Sequence, residues 1–187
     1  MAVLAGIDFF TVEVLTWRGL ATYYVLFVIH LESRRVTLGG ITKHPTEEWI
    51  LQIGRNATDE SSRFLKECSY VLHNRDTKFS ASFRQTLTAA GVEPLKLPPR
   101  SPNLNAFAER WVRSVKHECL GKLILFGEGS LKRALNELLK HYHAERPHQG
   151  KDNVILFPTR DPQPTGDERV CCNARLGGLL RYYCRAA

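Results

Sequence analysis

The sequence predicts an α/β chain that begins with a run of strands and then alternates helices and strands. Two observations predict this. Residues 3–15, VLAGIDFFTVEVL, and 21–30, ATYYVLFVIH, are dense in β-branched and aromatic residues, as strands are. From Thr46 onward, segments with apolar residues at helical spacing alternate with short apolar runs. The order is three strands, helix, strand, helix, strand, helix, helix. By itself that order favours an α/β or α+β fold.

The first strand carries Asp8 in its middle, and an acid inside an apolar strand costs desolvation unless it has partners. Gly19 breaks the run. Ala21–His30 is almost continuously apolar, the composition of a strand buried on both faces. A third strand, Arg35–Ile41, ends in Gly39-Gly40. The short links predict an antiparallel meander with the second strand between the other two. Thr46 is an N-cap for a helix whose face carries Trp49, Ile50 and Ile53. That helix ends near Gly54 or runs on through Phe64 and Leu65. Ser69–His73 is a short buried strand. Ser80 starts a helix with Phe83, Leu87 and Ala90 inward and Gly91 as C-cap. Val92–Leu97 is a further strand, and Ser130 caps a last helix bearing Leu131, Leu135, Leu138 and Tyr142 on one side.

Charge is uneven along the 187 residues, whose net charge is +7. Residues 1–95 carry ten Lys/Arg and ten Asp/Glu, whereas residues 96–187 carry sixteen and nine. A basic half beside a neutral half suits a polyanion such as DNA. The longest apolar run, Leu20–Leu31, is interrupted by Thr22 and His30 and is too short to cross a bilayer, so no membrane role is expected. Five cysteines with no Cys-x-x-Cys pair and no signal peptide fit a reducing compartment.

The most informative stretch is Leu97–Leu120, LPPRSPNLNAFAERWVRSVKHECL. Pro98, Pro99 and Pro102 hold its start out of helix, and Asn103 or Asn105 can cap the helix that follows. Phe107, Trp111 and Val115 fall on one face of that helix; Glu109, Arg113 and Lys116 fall on another. A carboxylate followed by cations along a helix is, in most proteins, a solvated face. The wording of the stretch says more, because Ser-Pro-x-x-Asn-Ala ahead of a Glu closely resembles the third catalytic block of the D,D,E transposases and retroviral-type integrases. GIDFFTVEV, HNRDTKFS and AERPHQG resemble further blocks of the integrase cores of bacterial insertion sequences, in the right order over roughly residues 5–150.

The resemblance implies a ribonuclease H-like fold, a five-stranded mixed sheet with helices on both faces. It implies an integrase-type catalytic core at 1–150 followed by a basic, loop-rich tail at 151–187. It also implies metal-dependent DNA cleavage and strand transfer, the chemistry of DNA integration, recombination and transposition. Two Mg2+ ions, with Mn2+ as a substitute, would be held by Asp8, position 74 and Glu109; two-metal sites stabilise attacking and leaving oxygens in line. No organic cofactor is implied. Position 74 departs from the family: the acid expected five residues before the aromatic Phe79 is Asn74. From 74 to Glu109 there are 34 intervening residues, against 32 from Asp76, which is the alternative second catalytic acid and reads first as an Asx-type turn residue. Strand transfer is therefore expected to be impaired, the other reading being an inactive remnant that only binds DNA or a sister transposase.

Arg113, Lys116, Arg146, His148 and Arg100 are the expected contacts to double-stranded DNA, and Ser101, Asn103 and Asn105 the residues expected to orient Glu109. His141, His143 and His148 with Cys184 lack the cysteine pairing of a zinc site and read as helix-surface histidines. A homo-oligomer or a sister transposase is the expected protein partner, in a bacterial, cytoplasmic, DNA-associated setting. The chain starts directly on its first strand, without the helix-turn-helix that relatives carry ahead of it, so recognition of specific transposon ends is expected to be poor.

Overall fold

The computed structural model describes residues 3–59, 64–65, 68–98, 105–158 and 170–185. The chain divides into two compact units, residues 1–113 and 114–187.

The first unit is built on a sheet of order β3-β2-β1-β4-β5. β1 (Leu4–Thr16) pairs antiparallel with β2 (Gly19–His30), and β2 with β3 (Val36–Thr42), giving the expected meander. β4 (Tyr70–His73) and β5 (Glu93–Lys96) extend the other edge in parallel, so the sheet is mixed. Parallel neighbours need crossovers, and helices supply them. α1 (Glu47–Thr58) lies between β3 and β4, and α2 (Ala81–Ala89) between β4 and β5. Thr46 caps α1 by accepting from the Trp49 amide at 3.3 Å. Ser80 caps α2 by accepting from Phe83 at 3.3 Å. α2 is capped at Ala90, one residue before the expected Gly91, which takes the left-handed φ of +82° just beyond.

Side chains alternate across a strand, and β1 shows what that achieves. Ala5 and Ile7 join Leu26 and Val28 in a core completed by Ile50 and Ile53 of α1 and Phe83 and Leu87 of α2. α1 lies so close to β3 that a Cβ on Gly40 would meet the Trp49 ring at 2.7 Å and Ile53 at 2.9 Å. On the opposite face, Phe10 and Phe27 meet Trp111 of α3 (Ala106–Ser114), with ring centroids 5.7 and 4.4 Å apart. Helices therefore cover both faces of the sheet.

The second unit contains α4 (Gly127–Ala144), whose Leu131, Leu135, Leu138 and Tyr142 are buried as expected. The helix starts earlier than Ser130. Phe126 occupies the cap position, and the Ser130 hydroxyl instead donates back to the Gly127 carbonyl at 2.9 Å. Beyond α4, β6 (Pro147–His148) pairs with β7 (Val154–Ile155). Within the segment expected as a loop-rich tail, β8 (Val170–Arg175) and β9 (Leu180–Arg185) form an antiparallel hairpin. The hairpin is tied to α4 by Arg175, whose guanidinium donates to Glu145 at 2.6–3.1 Å and to Glu137 at 2.7 Å. Glu145 is 5% exposed and also bonds His141 at 3.0 Å. These partners hold its carboxyl below the usual range, Arg175 contributing most. The arginine and glutamate of this clasp lie thirty residues apart, so local spacing in the sequence does not reveal it. Among the described residues no helix is long and apolar enough to cross a membrane.

Candidate functional site

The site forms where β1 and β4 run side by side. Their parallel register pairs Ile7 with His73, the last residue of β4. The next residues along the chain are Asp8, still within β1, and Asn74, just past the end of β4, so the pairing makes neighbours of two residues 66 positions apart. The Asn74 amide donates through Nδ2 to Asp8 Oδ1 at 2.7 Å. Asp8 shares the α3 face with Gly6 and Phe10 by strand alternation, which puts it on the side from which Asn105 and Glu109 approach. Asn105 Nδ2 donates to Asp8 Oδ2 at 2.9 Å, and the Phe9 amide donates to Oδ1 at 2.8 Å. A Cβ on Gly6 would stand 3.3 Å from Asn105 Oδ1, so a small residue leaves Asn105 its place.

Asn105 was expected to orient Glu109; its donor instead serves Asp8. It is 7% exposed and its Oδ1 is buried with no hydrogen-bond partner. The expected partners Ser101 and Asn103, and the candidate DNA contact Arg100, lie outside the described residues.

Burial raises the Asp8 carboxyl to about 6, chiefly by desolvation. The Phe9 amide and Asn105 oppose the rise, while the negative charges of Asp76 and Glu109 add to it. A carboxyl raised in the folded state stabilises the fold fully below its unfolded value near 4, and that stabilisation is lost as pH rises through about 6. A carboxyl-carbon NMR titration should therefore give Asp8 a midpoint near 6; a midpoint at the ordinary Asp value would contradict the burial and charge crowding described here.

Asn74 is locked from both ends. Its Oδ1 accepts from the Asp76 amide at 3.0 Å while its Nδ2 serves Asp8, which fixes the amide orientation. The segment turns back on itself: the Asp76 carboxylate accepts from the Lys78 amide at 3.0 Å, and the Phe79 amide reaches the Asp76 carbonyl at 3.1 Å. This is Asx-turn geometry. Lys78 Nζ grips both Asp76 oxygens at 2.9–3.0 Å. Phe79, the aromatic that set the register, is 2% exposed and packs on Phe9 and His73.

His73 was not singled out from the sequence. It is 1% exposed, its Nδ1 donates to the Asn74 carbonyl at 2.7 Å, and burial lowers its pKa. It therefore fixes the backbone at position 74 as a neutral ring. The sequence signal available was an imidazole at the end of an apolar strand directly before the site residue.

Glu109 sits in the first turn of α3, exposed, where the helix dipole favours a carboxylate. Arg113 lies in the last turn of the same helix and is exposed, as is Lys116 in the π-helical turn Val115–Cys119 of the second unit. The other two expected DNA contacts have protein partners within that unit. Arg146 Nη2 donates to Glu118 at 2.8 Å, and His148 Nε2 donates to the Tyr142 carbonyl at 2.8 Å while its ring packs on Tyr142.

Mg2+ takes oxygen donors in near-ideal octahedral geometry. The residues as placed do not offer that. Both Asp8 oxygens accept N–H groups, Asn74 turns its Nδ2 toward Asp8, and Asp76 is held by Lys78. Among the described residues, no three His, Cys, Asp or Glu side chains come together as a metal-binding group.

A mixed sheet of this order with helices on both faces is the ribonuclease H-like fold. Residues 90–154 match the family model described as an integrase core domain. The fold is that of integrase catalytic cores, and residues 90–154 within it carry the integrase-core signature. No curated protein matches it. Among solved structures it is similar to the HTLV-2 integrase catalytic core domain in complex with magnesium, with TM-score 0.52, 12% identity, and coverage of 82% of this chain and 92% of that one. It is also similar to the catalytic core domain of BIV integrase, with TM-score 0.52, 14% identity, and coverage of 79% and 87%. A third similarity is to the simian T-cell lymphotropic virus intasome in complex with PP2A regulatory subunit B56 gamma. There the TM-score is 0.52 and the identity 14%, and the match covers 96% of this chain but 66% of that one.

Proposed function

We propose that the chain is a DNA-binding core of the integrase/transposase type whose own metal-dependent cleavage and strand transfer is absent or very weak. The observation that carries this reading is the Asn74 side chain, donating a hydrogen bond to Asp8 at the position where the family places its second acid. An amide brings no negative charge, so the site holds one charge fewer against divalent ions. The similarity to the HTLV-2 integrase core in complex with magnesium supports Mg2+, or Mn2+, as the ion that a restored acid would recruit. Residues 1–150 form the core in this reading, and 151–187 a basic segment after it.

The second reading, an inactive remnant acting only through DNA or a sister transposase, is favoured by the same satisfied network. The two differ in whether restoring an acid restores chemistry. The first requires binding to double-stranded DNA and the second binding to DNA or to a sister transposase, in the bacterial, DNA-associated setting the resemblance implies; a homo-oligomer accommodates either.

The positive charge concentrated after residue 95 predicts duplex binding without sequence preference and with a steep salt dependence. A footprint of about three phosphates loses roughly 40-fold in affinity between about 50 and about 200 mM salt. Replacing Arg113 and Lys116 together by alanine should lower affinity and make the slope of log affinity against log salt shallower by about two. Fluorescence anisotropy with a labelled duplex reads both quantities. Equal affinity at low and high salt would exclude a phosphate-contact surface.

A further inference from the structure

We propose that Cys171 and Cys184 form a site of reversible oxidation that closes the β8–β9 hairpin with a disulfide. The register places Cys171 directly opposite Cys184. Directly opposed residues of an antiparallel pair have Cα atoms about 4.5 or about 5.5 Å apart, depending on the hydrogen-bonding position. Both separations lie within the ~4.4–6.8 Å that a disulfide spans, so the pairing suffices whichever position this is.

Side-chain direction agrees. Asn173, two residues along β8 from Cys171 and therefore on the same face, brings its Nδ2 to 3.9 Å from Cys184 Sγ. Cys171 is exposed and Cys184 half-buried, so an oxidant can reach both. The other thiols are poorly placed to compete. Cys172 points to the opposite face, across from Tyr183. Within an extended strand, the neighbours Cys171 and Cys172 point apart and cannot join without breaking the strand. Cys68 and Cys119 are 4% and 0% exposed, and burial pushes the Cys119 thiol up to about 11, where it stays protonated.

The oxidant class is a low-molecular-weight disulfide. The thiolate of one cysteine attacks a sulfur of the disulfide, forming a mixed disulfide and releasing one thiol. The second cysteine's thiolate then attacks the protein-bound sulfur, releasing the second thiol. Two protein S–H bonds and one S–S bond are exchanged for one protein S–S bond and two small thiols. The ring encloses Arg175, so oxidation restrains the strand whose guanidinium clasps Glu145 and Glu137.

The test incubates the folded chain with mixtures of oxidised and reduced glutathione and reads intact mass. The expected product has lost two hydrogens, and unreduced tryptic digestion joins peptide 170–175 to peptide 182–185. Cys172→Ser should behave identically, whereas Cys171→Ser and Cys184→Ser should each stop at a glutathione adduct on the remaining partner. Amide exchange across β8 and β9 should slow at least tenfold on oxidation. Only mixed adducts in the native chain, a bridge through Cys172, or no bridge in any mixture would each overturn the assignment.

Discussion

Replacing Asn74 by aspartate is expected to raise metal-dependent DNA cleavage by roughly a hundredfold or more, the scale on which single electrostatic contributors act in active sites. Aspartate has nearly the shape of asparagine, so the register Ile7–His73 that brings position 74 beside Asp8 is kept. What changes is the sign of the contact. The present Nδ2–H···Oδ1 bond of 2.7 Å would become two carboxylates facing each other in a site already burdened by the charges of Asp76 and Glu109. Without a cation that arrangement is unfavourable, so Asn74→Asp should melt several degrees below the native chain in EDTA and recover in Mg2+. The native chain should melt at the same temperature in both. A labelled transposon end serves as cleavage substrate, and Asp76→Ala is the companion variant. If the native chain already cleaves as fast as Asn74→Asp, and Asp76→Ala abolishes that cleavage, Asp76 is the second acid. The present geometry argues otherwise, because Lys78 occupies both Asp76 oxygens.

The second large effect concerns the helix that carries Glu109. Trp111 is 2% exposed and wedges between Phe27 and Phe10, ring to ring at 4.4 and 5.7 Å. Trp111→Ala removes the largest side chain joining α3 to the sheet. Deletions of this kind cost about 3–5 kcal/mol, which for a unit of this size lowers the melting temperature by roughly 15–25 °C. Trp111→Phe should cost far less, about 1 kcal/mol, because the indole Nε1 is buried with no hydrogen-bond partner to lose. Thermal unfolding followed by circular dichroism separates the two. Similar melting temperatures for Trp111→Ala and the native chain would mean that α3 is held by something other than this aromatic contact. In a Trp111→Ala protein that still folds, the Asp8 titration should also shift, since Asn105 and Glu109 are positioned by the same helix.

Much of the fold was legible because its signals are local. β-branched runs mark β1 and β2, and Thr46 and Ser80 cap helices by bonds within three residues. The start of α4 was misplaced because Ser130 satisfies its hydroxyl inside the helix, a choice that residue type does not reveal. The β8–β9 hairpin lies in a segment that reads as loop because Pro158, Pro162 and Pro164 precede it; what anchors it is Arg175 reaching Glu137 of α4 and Glu145 at the end of that helix. At the site, the motifs indicated Asp8, Asn74 and Glu109. The sequence contained no sign that Asn105 would serve Asp8, and for His73 it offered only an imidazole at the end of an apolar strand, not the bond to the Asn74 carbonyl.

The sequence by itself determined the order of strands and helices, the acid in the middle of β1, the amide at position 74 and the concentration of positive charge after residue 95. Those are properties of residue types and spacings, and no folding is needed to read them. Only the tertiary structure decided what Asn74 does. The parallel pairing of β1 with β4 sets it beside Asp8, and the turn through Asp76 fixes its amide with the N–H toward the carboxylate. A side chain that can either donate or accept takes its role from its neighbours, and here they come from β1, the turn after β4 and the start of α3.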